Sequence, residues 1–192
     1  ESENQNPHSN PSADPASPQP APRWKSLLRN HGITLVLLAA FTYFWMRPPA
    51  TVTSENRAAP AWAVQLTDGR ALTSAQLKGK VVLINYWATW CPYCLKEMPV
   101  IEEFWKDHRD KGFEVLAVSV DDPPEKVAQY MKDHGYAFPA APMDPSVYAA
   151  FGRADSIPTS FVVDAQGVIR HRIDGQVHYP RLEKLVLPLI PD

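Results

Sequence analysis

Two apolar runs, Lys80 to Trp87 and Phe113 to Val120, bracket a stretch of helical periodicity, and that arrangement constrains the fold more than any other feature of the chain. Near-continuous hydrophobicity over strand length marks central strands covered on both faces. Between them Leu95, Met98, Ile101, Trp105 and His108 recur at helical spacing, and Gly112 closes the helix. This is a β-α-β unit, expected to cross over right-handed.

Smaller elements flank that unit. Trp62 to Leu66, the turn Thr67-Asp68-Gly69-Arg70 and Ala71-Leu72 read as a hairpin, followed by a short helix capped by Thr73 or Ser74 and ending at Gly79. A helix follows Pro123-Pro124 with Val127, Tyr130 and Met131 on one face and Gly135 as its C-cap. Phe138 to Ala141 reads as a short strand and Pro145 to Phe151 as a short helix. Thr159 to Val163 and Val168 to Ile173, joined by Asp164-Ala165-Gln166-Gly167, form a second hairpin, and Pro180 opens a last helix. The result is an α/β domain whose mixed sheet carries helices on both faces.

The chain's two cysteines stand together in Trp90-Cys91-Pro92-Tyr93-Cys94, directly after the first apolar run. Thiols at this spacing can close a disulfide across one turn of a helix that begins at the first of them. A strand running into a helix start is where one sulfur becomes reactive and the other stays sheltered. Thiol–disulfide exchange is the leading chemistry. A structural zinc site lacks further cysteines, and none of the six histidines is near the pair. A purely structural disulfide is disfavoured because so short a loop removes little chain entropy.

The first 60 residues differ in character. Residues 1–22 hold six prolines and three apolar residues, all alanine, so they cannot bury enough surface to offset ordering and read as a disordered tail. Arg23, Lys25 and Arg29 then precede the uncharged stretch 30–46, which Arg47 closes. Its 17 residues make about 25 Å of helix, close to the roughly 30 Å hydrocarbon layer. We read 23–47 as a basic flank and a single transmembrane signal-anchor, with a cleaved leader as the rival reading. The charge asymmetry leaves the N-terminus in the cytoplasm and the cysteines in the periplasm. Residues 48–60 read as a Pro-stiffened linker and 61–192 as the catalytic domain. The net charge of −2 offers no electrostatic case for nucleic acid.

With Pro99 five residues after Cys94 and Ile157-Pro158-Thr159 before the second hairpin, residues 61–192 resemble the thioredoxin superfamily. Trp87-Ala88-Thr89-Trp90-Cys91-Pro92-Tyr93-Cys94-Leu95-Lys96-Glu97-Met98-Pro99, the leading hairpin and the β-α insertion at 121–152 resemble its membrane-anchored TlpA/ResA branch. The resemblance implies a thioredoxin-like fold and a protein-disulfide oxidoreductase. Cys91 would stand at the helix N-terminus with its sulfur exposed and attack the client. A thiol of ordinary pKa about 8.5 gains acidity at a helix end. Cys94 would resolve the mixed disulfide. Pro92 suits the first helical turn. Trp90 is a contact platform, and Tyr93 tunes the thiol and touches substrate. Pro158 would be cis, with Ile157 offering backbone to an extended client.

The branch implies a proton-exchanging role for Glu97, whose other reading is a solvated helix carboxylate. Asn85, where thioredoxins proper keep a buried acid, cannot take a proton, which turns attention to Glu97. No cofactor beyond the Cys91–Cys94 pair and no metal are implied. Partners would be protein thiol or disulfide clients, such as apocytochromes c or copper-site assembly proteins, and an upstream membrane electron donor. Reduction is the favoured direction, with an oxidase or isomerase as the near rival. A thiol peroxidase would need Pro and Thr where this chain has Ile84 and Ala88, and a copper chaperone would need soft ligands beyond the pair.

Overall fold

The computed structural model describes residues 34–42 and 50–191. The chain divides into two units, 1–47 and 48–192. In the first, residues 34–42 are helical (α1). Among the described residues, no helix is long and apolar enough to cross a membrane. The remainder of the anchor expected over 23–47, and the tail expected over 1–22, lie outside the described residues.

The second unit runs β1 (Thr51–Ala58), β2 (Ala63–Gln65), β3 (Ala71–Thr73), β4 (Val81–Trp87), α2 (Pro92–His108), β5 (Phe113–Ser119), α3 (Pro124–His134), β6 (Ala140–Pro142), α4 (Pro145–Phe151), β7 (Thr159–Val163), β8 (Val168–Asp174) and α5 (Tyr179–Val186). Six strands form one sheet in the order β1-β8-β7-β4-β5-β6, and β2-β3 form a separate ribbon. β4, β5 and β6 pair in parallel, while β7 pairs antiparallel to both β4 and β8. The short helix after β3 is a 3-10 turn, Ser74–Leu77, held by the Thr73–Gln76 capping box.

Both faces of β4 are covered, which is why its sequence is unbroken apolar apart from Asn85. Val81, Leu83 and Trp87 point toward α2, α3 and α5, packing with Met98, Ile101, Val127 and Leu182. Val82, Ile84 and Tyr86 point to the other side, against the β2-β3 ribbon and α4 through Trp62, Val147 and Phe151. The two-residue period of a strand therefore builds two cores, and Asn85 falls on the α2 side.

The expected linker over 48–60 is corrected by the structure. Residues 51–58 form β1, antiparallel to β8 along the sheet edge. Thr51, Val52 and Thr53 suit a pleated edge, and the prolines at 48, 49 and 60 bound the strand without interrupting it. A bulge between Ser54 and Arg57 turns the strand, and Asn56 there has φ 53°. Arg57 then donates to the carbonyls of Ala150 and Phe151 at 2.8 and 3.4 Å. The catalytic unit thus includes residues assigned to the spacer. The strand expected over 138–141 is also displaced, to Ala140–Pro142, because Pro139 enters the sheet only through its carbonyl, which accepts from Ala117 N–H.

Candidate functional site

β4 ends at Trp87 and the chain turns through Ala88–Trp90 into α2, with Cys91 as the N-cap and Pro92 at the first helical position. Cys91 and Cys94 are joined in a disulfide with their Cα atoms 5.3 Å apart. Cys94 N–H donates to Cys91 Sγ at 3.2 Å, so the first sulfur receives an amide at the positive end of the helix. Cys91 Sγ also lies 3.8 Å from the carbonyl oxygen of Ile157. The Ile157–Pro158 peptide is cis.

One expectation is corrected here. The sequence predicts an exposed sulfur at Cys91, yet the residue is only 2% accessible in the disulfide form. Its sulfur is tucked between the first turn of α2 and the Ile157 carbonyl. What faces solvent is the rim: Trp90 is 58% and Tyr93 47% exposed, Pro92 is exposed, and Pro158 is buried. Lys96 lies over the Tyr93 ring, 5.7 Å from its centre.

Glu97 is fully buried, which removes the solvated reading. One carboxyl oxygen accepts from Asn85 Nδ2 and the other from the backbone N–H of Val177, each at 2.8 Å. Burial raises its pKa from 4.5 to about 8, against the lowering effect of those two donors. This puts it in the range where it can trade a proton with a thiol near neutral pH. It sits one helical turn beyond Cys94 on the same face.

A second buried carboxylate shapes the site and was missed in the sequence. Asp122, in the loop after β5, accepts from Thr89 N–H at 2.7 Å, Thr89 Oγ1 and Ser119 Oγ at 2.8 Å, and Lys126 Nζ at 2.6 Å. Burial alone would raise its pKa, but these donors together lower it from 3.8 to about 2. Next to it, Asp121 accepts from the Trp90 indole N–H at 3.0 Å. The two aspartates therefore hold residues 89 and 90, immediately before the nucleophile. The available signal was position: Asp121-Asp122 directly follows a parallel strand adjacent to β4, at the carboxyl edge where sites in such sheets form. Beyond Trp90 and Asp121 a cleft of about 660 Å³ opens, its far wall made by Tyr148, Arg153 and Ile157. Among the described residues, no group of three or more His, Cys, Asp or Glu side chains is placed to hold a metal ion.

The redoxin family pattern matches residues 54–186. The chain belongs to the redoxin family. This redoxin is 31% identical over 137 residues to the thiol-disulfide oxidoreductase ResA of Bacillus thuringiensis (strain Al Hakam), covering 71% of this chain and 79% of that protein. It is 32% identical over 148 residues to ResA of Bacillus subtilis (strain 168), covering 75% and 82%. Among solved structures it is similar to a thiol:disulfide interchange protein of Chlorobium tepidum TLS, with TM-score 0.67 and 31% identity over 72% of this chain and 99% of that one. The fold is thioredoxin-like, of the ResA/TlpA kind. The redoxin is a thiol–disulfide oxidoreductase, and Cys91–Cys94 is its redox centre.

Proposed function

We propose that this redoxin is a membrane-tethered reductant of protein disulfides on the periplasmic side of the inner membrane. The observation that carries the direction is the buried carboxyl of Glu97 one turn below the pair. A carboxyl closed over there supplies no positive charge to a Cys94 thiolate and, when ionised, opposes one, so the dithiol gains little from ionisation and its electrons are the more readily released.

In the reaction, the Cys91 thiolate attacks one sulfur of a client disulfide. The client's other sulfur leaves as a thiolate, and Cys91 is joined to the client. Cys94, giving its proton to the ionised form of Glu97, attacks Cys91 Sγ and expels the second client thiolate. Two electrons have passed to the client, and the enzyme is left as the Cys91–Cys94 disulfide. An upstream membrane thiol donor restores the dithiol by the same exchange. Trp90, Pro92 and Tyr93 form the platform, and the Ile157 carbonyl, beside the attacked sulfur, pairs with the client backbone before Pro158. Apocytochromes c and copper-site assembly proteins present Cys pairs of this kind.

The tether reading is supported by the basic flank and uncharged stretch at 23–47, of which 34–42 is helical with Leu35, Val36, Leu37, Leu38 and Phe41 exposed. The deciding measurement equilibrates the full chain with glutathione buffers. A potential well below about −200 mV is expected; one near about −120 mV makes it an oxidase. Release from membranes by an alkaline wash would remove the tether.

A further inference from the structure

Asn85 interrupts the hydrophobic run of β4 with a carboxamide and is fully buried. Its Nδ2 faces two acceptors, Glu97 Oε1 at 2.8 Å and Ser160 Oγ at 3.0 Å. Its Oδ1 is equally buried and has no partner. Ser160 stands directly opposite Asn85 across the β4–β7 pairing. A carboxamide with its amino group doubly engaged and its oxygen idle matches an ionised Glu97, which can only accept.

Protonation of Glu97 reverses that demand. Oε2 is held by the Val177 N–H, so the proton belongs on Oε1, and a buried O–H there needs an acceptor. The group already touching Oε1 is the Asn85 amide. Turned over, it presents Oδ1 to the Glu97 hydroxyl and to the Ser160 hydroxyl, which rotates from acceptor to donor. The idle oxygen becomes engaged in the form where the present arrangement would leave two hydrogens opposed.

We propose that Asn85 is a positioning residue for proton exchange at Glu97, its carboxamide donating to the carboxylate and, turned over, accepting from the carboxyl, with Ser160 serving both orientations. Glu97 is met by Asn85 from the sheet, itself bonded to Ser160, and by the Val177 amide ahead of α5, with Cys94 one turn earlier on its own helix; no charged side chain contributes to its ionisation. The inference rests on Glu97 being the proton holder of the exchange reaction.

The test is carboxyl and side-chain amide NMR on the oxidised full chain, titrated from about pH 5 to 10. The Asn85 amide signals are expected to move with the same midpoint as the Glu97 carboxyl. Asn85→Leu is expected to raise the Glu97 midpoint by about one pH unit, because a hydrogen bond to the charged form is the stronger of the two lost. Ser160→Ala, which removes a partner common to both orientations, should leave the midpoint nearly in place. Asn85 signals that ignore the Glu97 titration, an Asn85→Leu midpoint that is unchanged or lower, or a Ser160→Ala midpoint displaced as far as that of Asn85→Leu would each overturn the proposal. A Glu97 that does not titrate in this range overturns the proton-holder reading as well, so the two failures are distinct.

Discussion

Replacing Glu97 by Gln gives a pH-dependent stability difference that can be worked from the structure. The folded carboxyl has its pKa raised from 4.5 to about 8, chiefly by burial. Between those values the native chain holds a proton that the unfolded chain has released, so stability falls as pH rises. The contribution is fully present below about pH 4.5 and lost through pH 8. The slope is about 1.4 kcal/mol per pH unit, which reaches roughly 3 kcal/mol at pH 7. Gln has no proton to lose, and its amide can meet both the Val177 N–H and a reoriented Asn85. Glu97→Gln should therefore match the parent near pH 4.5 and exceed it by roughly 3 kcal/mol at pH 7, while turnover drops by about a hundredfold for want of a proton acceptor. Urea unfolding of both proteins in the disulfide form, followed by tryptophan fluorescence from pH 4.5 to 8, measures the difference with other titrations cancelled. A difference that stays flat across that range refutes the reasoning.

Asp122 runs in the opposite sense. Its pKa is lowered to about 2, so its contribution is present above about pH 4 and lost as pH falls toward 2. Asp122→Ala should cost about 2–3 kcal/mol at pH 7, with the half-exposed Lys126 supplying little of it, and a change in urea midpoint worth under about 0.5 kcal/mol would refute the clamp on Thr89. Beginning the chain at residue 61 strips β1 from β8, so that fragment should unfold at lower urea than one beginning at residue 48; equal midpoints would restore the linker reading. Cys94→Ser should accumulate mixed disulfides with clients, and Cys91→Ser should accumulate none; trapping through Cys94 in the latter would reverse the roles of the two thiols.

The β-α-β unit, both hairpins and the helices at 92–108, 124–134 and 145–151 were legible because their signals are local: unbroken apolar runs, 3.6-residue spacing, Asp-Gly and Gln-Gly turns, and prolines at helix starts. The strand at 51–58 was not. An edge strand has one pairing neighbour and little burial, so nothing in its own residues separates it from a polar spacer, and β8 lies more than a hundred residues away. The exposure of Cys91 was misjudged for a similar reason, since the Ile157 carbonyl that covers it arrives from a distant loop.

Covalent chemistry belongs to the sequence of this redoxin: two thiols one helical turn apart, opened by a proline, behind a strand that must be buried. Which groups set the acidity around those thiols was decided by tertiary structure. Glu97 meets Asn85 and Val177 from two separate segments, with Ser160 from a third bonded to Asn85, and Asp122 reaches back over thirty residues to Thr89. Desolvation and hydrogen bonding act through space at about 3 Å. No spacing along the chain records which carboxyl the fold will close over.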